Sequence, residues 1–207
     1  MKAIAPGKLI LSGEHAVVHG LPAIAMAVNR FAEATITAHP SPSIFFDILN
    51  LSYHKEHTIS ALRRIKRRLS EDYQKFLHGE YGIRDVLKRP FELSQYALTS
   101  FLEKLNPALN AGGIKLSTHS TIPIGCGMGS SAAMILSVMH AIREHYNVDM
   151  REDHFLSHGI EIENLQHGQS SGLDLQISLN GGCLRYENGK VDKREIPNLP
   201  MYLINTG

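Results

Sequence analysis

The amino-acid sequence predicts an α+β protein in which helices cover one face of a sheet. Three observations lead to this class: alternating apolar residues near the start, apolar residues at helical spacing in the middle, and short glycine-flanked strand patterns near the end. The 207 residues are enough for one sizeable hydrophobic core.

Each predicted element depends on a local pattern. Residues 1–38 are predicted to be rich in β-strand, because FAEATITA (31–38) alternates apolar with polar side chains, and residues 39–43 are predicted to turn. Helices are expected over 58–78, after Pro90, over about 130–146, and over about 151–166 with Asp149 as N-cap. Four further strands are expected: GIKLSTHSTI (113–122), GGCLRYENG (181–189), KVDKREI (190–196) and MYLINTG (201–207).

Composition narrows the classes of function. The net charge of +1 gives no general attraction to nucleic acid or to an anionic membrane. Cys126 and Cys183 lie far apart without CxxC spacing, which disfavours a disulfide framework or zinc finger and suits a reducing compartment. The start, MKAIAPGK, does not resemble a signal peptide, since Pro6 and Gly7 interrupt a short apolar stretch. We therefore expect a cytoplasmic protein that binds neither nucleic acid nor membrane.

The segment IPIGCGMGSSAAM (122–134) is the first candidate site. Gly125, Gly127 and Gly129 precede Ser130 and Ser131, which open a predicted helix. The first N–H groups of a helix lack backbone partners and carry partial positive charge, so bare glycines ahead of them allow phosphate oxygens to approach. The segment matches neither GxxxxGK[ST] nor GxGxxG, and a serine-capped loop without a ligand remains an alternative.

Two other segments crowd polar residues between glycines. APGKLILSGEHAVVHG (5–20) contains Lys8, Glu14 and His15, and IEIENLQHGQSSGLDL (160–175) places Glu163 and Asp174 on either side of a glycine-bearing turn. One of these carboxylates could hold a metal while the other acts as a base. The alternatives are a solvated lysine at a strand end and an aspartate that only caps the next helix.

Three weaker patterns point to other classes. GQSSG (168–172) satisfies GxSxG, but a helix is predicted before it and no histidine follows it, contrary to the order in serine hydrolases. His154 and His158 could form a metal pair on one helix, although no third ligand is apparent. RRIKRR (63–68) could contact nucleic acid, or it could be a solvated helix face.

The three glycine-bearing segments together resemble the GHMP small-molecule kinases, and the mevalonate kinases among them. APGKLILSGEHAVVHGLPAIAMAV is similar to their first motif, IPIGCGMGSSAA to the PxGxGxGSSAA phosphate loop, and HGQSSGLD with GGCLRY to HGxxSGxD and GGxxRY. The resemblance implies the family's N-terminal fold, a two-layer, ribosomal-protein-like arrangement with a mixed or antiparallel sheet. It also implies ATP and Mg²⁺ as cofactors and phosphorylation of the primary hydroxyl of a small alcohol, mevalonate first, with phosphomevalonate or a sugar as the alternative acceptor.

The same resemblance assigns expected roles. Asp174 would accept the proton of the substrate hydroxyl, and Lys8 would polarise that hydroxyl and the transferring phosphoryl group. Glu14 and His15 would line the substrate side. Two further sets complete the site: the ATP loop of Gly125, Gly127, Gly129, Ser130 and Ser131, and the Mg²⁺ ligands Ser131 and Glu163.

The chain departs from the family pattern in two places. Gln169–Ser170 stands where Asn-Pro is usual, which bears on the shape of that turn. The third family motif, a glycine-rich loop of a C-terminal domain, has no match. We therefore expect residues 1–207 to form the N-terminal, ATP-binding domain. A truncated nucleotide-binding module without turnover stays open, as does a homodimer formed through exposed apolar surface.

Overall fold

The computed structural model describes residues 1–105, 113–198 and 200–204, and it confirms the α+β class. Seven strands form a single sheet: β1 (Lys2–Ser12), β2 (Ala23–Ala38), β3 (Ile44–Ile48), β4 (Tyr53–His57), β5 (Ile114–Ser120), β6 (Cys183–Glu187) and β7 (Lys190–Arg194). The helices of the described residues are α1 (Ile59–Leu77), α2 (Glu92–Leu105), α3 (Ser130–His145), α4 (Glu152–His167) and α5 (Leu173–Asn180).

Strand β2 organises the sheet. It pairs with β1 on one edge and with β5 and β6 at the two ends of its other edge, always antiparallel. The order is β4-β3-β5-β2-β6-β7, with β1 off this path, and only the β3–β5 pair among the described strands is parallel. The sheet is therefore mixed, as the resemblance implied.

One face of the sheet is buried under the helices. Residues 32–36 of β2 alternate between buried alanine or isoleucine and partly exposed Glu33 and Thr35, as the period of two predicts. The buried side chains join those of α2 and α3 in the main core, which includes Ile36, Phe46 and Phe101. Helix α3 packs on β1 and β2, and α5 packs on β1, so both helices lie beside the first strand.

Two predictions are wrong. Asp149 does not cap α4, because the helix begins at Glu152 with Arg151 at the N-cap position. Glu152 and Asp153 place their negative charge in the first turn. MYLINTG does not form a strand over Met201–Ile204: these side chains are exposed and have no paired strand within the described residues, while residues 205–207 lie outside them. None of the helices in the described part of the chain has the length and apolar character that a membrane span requires.

Candidate active site

Strand β1 carries Lys8 into the interior beside helix α5. The β1–β2 register shifts between Pro6 and Gly7, and such bulges redirect the side chains that follow. Lys8 is only 5% exposed, and its Nζ lies 3.3 Å from Oδ1 of Asp174, in the first turn of α5. A buried lysine and a partly exposed aspartate, 166 positions apart in the sequence, thus form an ion pair.

Asp174 does not act as the cap of helix α5. Gly172 occupies the N-cap position of α5, and no side-chain hydrogen bond caps that helix. Burial raises the pKa of the Asp174 carboxyl above its ordinary value, and the Lys8 ammonium opposes that rise. A carboxylate that is more basic than usual and faces a lysine is suited to accept a proton.

The glycine loop meets this pair at Gly129. Its φ of +67° is left-handed, and a Cβ there would lie 2.8 Å from Cγ of Lys8 and 3.3 Å from Oδ2 of Asp174. The backbone N–H of Lys8 also donates to the carbonyl of Met128 at 2.9 Å. The loop is therefore fixed against β1 at one end.

The rest of the loop is open. Gly125 and Gly127 also have positive φ, and a Cβ on either would meet nothing within 4 Å. Within the described residues, the N–H groups of these glycines and those of Ser130 and Ser131 donate no hydrogen bond. Free amides at the start of the 16-residue helix α3 are the arrangement that binds phosphate oxygens.

Helix α4 supplies a second buried carboxylate. Glu163 is 2% exposed and accepts a short hydrogen bond from the hydroxyl of Ser170. Burial raises the pKa of Glu163 to about 7, and the charge of Asp174 adds to the rise, whereas the Ser170 hydrogen bond lowers it. A cation placed here would offset the cost of burying the negative charge.

The other predicted Mg²⁺ ligand, Ser131, contacts helix α4, which also carries Glu163. Ser131 opens α3, and its Oγ lies 3.3 Å from Nε2 of His167 at the end of α4. No group of three His, Cys, Asp or Glu side chains in the described ranges could hold a metal ion. Mg²⁺ usually takes one or two carboxylates and completes its shell with water and substrate phosphates, so the role of Glu163 and Ser131 stays a prediction.

The two predicted substrate residues lie on the turn after β1. Glu14 and His15 are both exposed, and the charge of Glu14 contributes to the raised pKa of Asp174. No hydrogen bond or ion pair joins His15 to Lys8 or Asp174 in the described part of the chain. The structure therefore links Glu14 electrostatically to the site and leaves the role of His15 a prediction.

A pocket of about 410 Å³ adjoins the serines that open α3. Its wall includes Ile83, Arg84 and residues 87–90, which no sequence motif indicated as part of a site, together with Leu51 and Met134. The volume and the mainly apolar lining are typical of sites for small organic ligands. A nucleotide with its phosphates on the glycine loop could place its base here.

The weaker patterns find no support. GQSSG follows helix α4 rather than a strand, so it is not a nucleophile elbow. His158 is buried and its Nδ1 bonds Glu161 Oε2 at 3.0 Å, whereas His154 is exposed, so the two do not form a pair of ligands. In RRIKRR, Arg63 and Lys66 pair with Glu103 on α2, as expected for a charged helix face.

Comparison with known proteins shows what the chain is similar to. The model of the GHMP kinases N terminal domain matches residues 93–182, which include the glycine loop, Glu163 and Asp174. Residues 93–182 of the chain are thus similar to the GHMP kinase N-terminal domain. The similarity to the relatives and structures below extends over nearly all of the chain.

The curated mevalonate kinase of Thermococcus gammatolerans is 31% identical over 99% of this chain and 57% of its own length. That of Pyrococcus horikoshii is 32% identical over 99% of this chain and 56% of its own length. The crystal structure of the Methanococcus jannaschii mevalonate kinase superposes with a TM-score of 0.76 at 28% identity, covering 94% of this chain and 56% of that one. The chain thus spans a little over half the length of the curated relatives it matches.

Proposed function

We propose that this chain is the part of an ATP-dependent kinase that binds the nucleotide phosphates and takes up the proton of the acceptor, with the primary hydroxyl of mevalonate as the acceptor. The observation that carries the proposal is the Lys8–Asp174 ion pair packed against Gly129, at the start of α3. Mevalonate is proposed because the curated relatives at 31–32% identity are mevalonate kinases.

The glycine loop is the proposed seat of the nucleotide phosphates. Its free amides and the dipole of α3 favour anions, and glycine at 125 and 127 leaves the space that the phosphates need. The adjoining pocket of about 410 Å³ would receive the base. Ser130 and Ser131 line that pocket as well as opening the helix, which connects the two parts of the site.

Glu163 and Ser131 would hold Mg²⁺. When bound, Mg²⁺ would neutralise charge on the phosphate oxygens and help to orient the phosphoryl group. The carboxylate of Glu163 is already buried and held by Ser170, so it needs little reorganisation to bind a cation.

Asp174 and Lys8 have separate roles in the proposed phosphoryl transfer. Asp174 accepts the hydroxyl proton on its carboxylate as the acceptor oxygen attacks phosphorus. The ammonium of Lys8, held 3.3 Å from Oδ1, keeps the carboxylate oriented and places positive charge where negative charge builds during transfer. Positioning and charge stabilisation account for most of the catalysis of phosphoryl transfer.

Two measurements on the purified chain test the proposal. Isothermal titration with AMPPNP and Mg²⁺ tests nucleotide binding, and ³¹P NMR with ATP and mevalonate, phosphomevalonate or galactose identifies the phosphorylated product. We expect binding and a new phosphomonoester signal with mevalonate.

The outcomes separate the alternatives. If only phosphomevalonate or galactose gave a product, the proposed acceptor would be wrong but the proposed phosphoryl transfer would stand. Binding without any product would show a nucleotide-binding module, and absence of nucleotide binding would overturn the whole proposal.

A further inference from the structure

The turn between Glu163 and Asp174 is built around Ser170. Where the family pattern has proline, which fixes φ and has no N–H, this chain has a serine that uses both its backbone and its side chain. The Ser170 N–H donates to Oδ1 of Asn164 at 2.7 Å, a bond that proline could not make. The substitution is therefore accompanied by a different way of holding the turn.

The hydroxyl of Ser170 has a defined direction. Its oxygen accepts the N–H of Gly172 at 3.0 Å, and its single proton is donated to Oε2 of Glu163. Among the described residues, Ser170 is the one hydrogen-bond donor to the Glu163 carboxylate, and Oε1 has no hydrogen-bond partner there. One oxygen is thus held and the other is left available.

We infer that Ser170 is a positioning residue that holds Glu163 in the orientation needed to bind a divalent cation beside the nucleotide. The inference rests on the proposed function, since it assumes that Glu163 is a metal ligand. Side chains that hydrogen-bond a metal ligand fix its orientation, and their removal typically lowers metal affinity by about 10–100-fold. The same hydroxyl bonds Gly172 N–H at the start of α5, so it ties the position of Glu163 to the helix that carries Asp174.

The test measures metal binding rather than turnover. Mn²⁺, which takes oxygen ligands like Mg²⁺, is titrated into the chain with saturating AMPPNP, and free Mn²⁺ is followed by electron paramagnetic resonance. We expect Ser170→Ala to raise the Kd for Mn²⁺ by about 10-fold or more. Ser170→Thr, which keeps the hydroxyl, is expected to restore the Kd to within about threefold of the original.

A matched control separates loss of position from loss of stability. Ser178 is also buried and donates its hydroxyl to the carbonyl of Pro6 at 2.8 Å, and among the described residues it makes no side-chain hydrogen bond to the turn. Ser178→Ala is expected to leave the Kd for Mn²⁺ unchanged. If Ser170→Ala binds Mn²⁺ as tightly as the original chain, or if Ser170→Thr is as weak as Ser170→Ala, the inference is wrong. If the unaltered chain binds no AMPPNP, the proposed function itself fails.

Discussion

The loop at residues 125–129 and the turn at residues 168–172 both lead into a helix of the candidate site, but they are built in opposite ways. In the loop, Gly125 and Gly127 face open space and their amides make no hydrogen bond within the described residues. In the turn, the carbonyls of Gly168 and Ser171 accept the hydroxyls of Tyr73 and Tyr186, and Ser170 makes three hydrogen bonds of its own.

The difference follows from what each segment is proposed to hold. Phosphate oxygens bring their own charge, so the loop only has to offer free amides and space. Buried carboxylates are unfavourable without partners, so the turn has to hold them before any ligand arrives. The loop is therefore expected to be sensitive to added volume, and the turn to lost hydrogen bonds.

The largest expected effect is the loss of the proposed base. Asp174→Asn keeps the size of the side chain but cannot accept the hydroxyl proton as a carboxylate does. We expect kcat to fall by about 10²–10⁴-fold with AMPPNP binding retained, because the loop is unaltered. Steady-state kinetics with mevalonate and calorimetry measure the two quantities. Turnover at the original rate would remove Asp174 from the mechanism.

The next effect distinguishes two glycines of the same loop. An alanine at Gly127 or at Gly129 must adopt positive φ, which costs about 1–2 kcal/mol. Only at Gly129 would the new Cβ also collide with the buried Lys8 side chain. We expect Gly129→Ala to lower the free energy of unfolding by about 1–3 kcal/mol more than Gly127→Ala, as measured by urea denaturation. Equal losses would show that the close approach of the loop to Lys8 is not important for stability.

Much of the fold could be predicted because its signals are local. Helices α1, α3 and α4 follow from apolar spacing, and Thr58 caps α1 through its hydroxyl, as a residue of that type should. The hairpin of β3 and β4 was not predicted, since β4 reads YHKEH, a polar edge strand without apolar alternation. The glycine loop is also a local pattern, and its three glycines adopt the positive φ that glycine favours.

The geometry of the site could not be predicted from local patterns. The distance between Lys8 and Asp174 depends on a register shift in β1 and on the packing of α5 against that strand. The partners of the turn come from helix α1 and strand β6, and no periodicity in the sequence relates Tyr73 or Tyr186 to Ser170. The resemblance supplied the roles of Lys8 and Asp174, whereas the hydrogen bonds of Ser170 came only from the structure.

A third test uses the raised pKa of Glu163 in the absence of metal. The pKa is about 7 in the folded chain against an ordinary value of 4.5, so the unfolded chain releases this proton first. The folded chain therefore keeps its full stability below about pH 4.5, where Glu163 is neutral in both the folded and the unfolded chain. It loses stability as the pH rises through about 7, because Glu163 must then be charged while buried. Glu163→Gln, which is never charged, should be more stable than the original by about 1–3 kcal/mol at about pH 8.

Chemical denaturation in EDTA across this pH range measures the effect on Glu163. The difference between Glu163→Gln and the original chain should shrink as the pH falls toward about 4.5, because both then carry a neutral side chain. In the presence of AMPPNP, Glu163→Gln should also bind Mn²⁺ more weakly than the original chain, because it lacks the carboxylate proposed to bind the metal. A constant difference at all pH values would mean that burial does not disfavour the charge of Glu163.

The smallest expected effect tests whether helix α1 supports the turn. The hydroxyl of Tyr73 donates to the carbonyl of Gly168 at 2.8 Å, and Tyr73→Phe removes only that bond. We expect a loss of about 0.5–1.5 kcal/mol in the free energy of unfolding. Amide hydrogen exchange should be faster at Ser170 and Gly172, whose N–H groups are bonded inside the turn, but unchanged in the glycine loop.

Tyr81→Phe is the matched control, since the Tyr81 ring contacts Lys75 and its hydroxyl has no hydrogen bond among the described residues. Equal exchange in both variants would mean that the turn holds its shape without α1, and that its own side chains suffice to keep Glu163 and Asp174 in place.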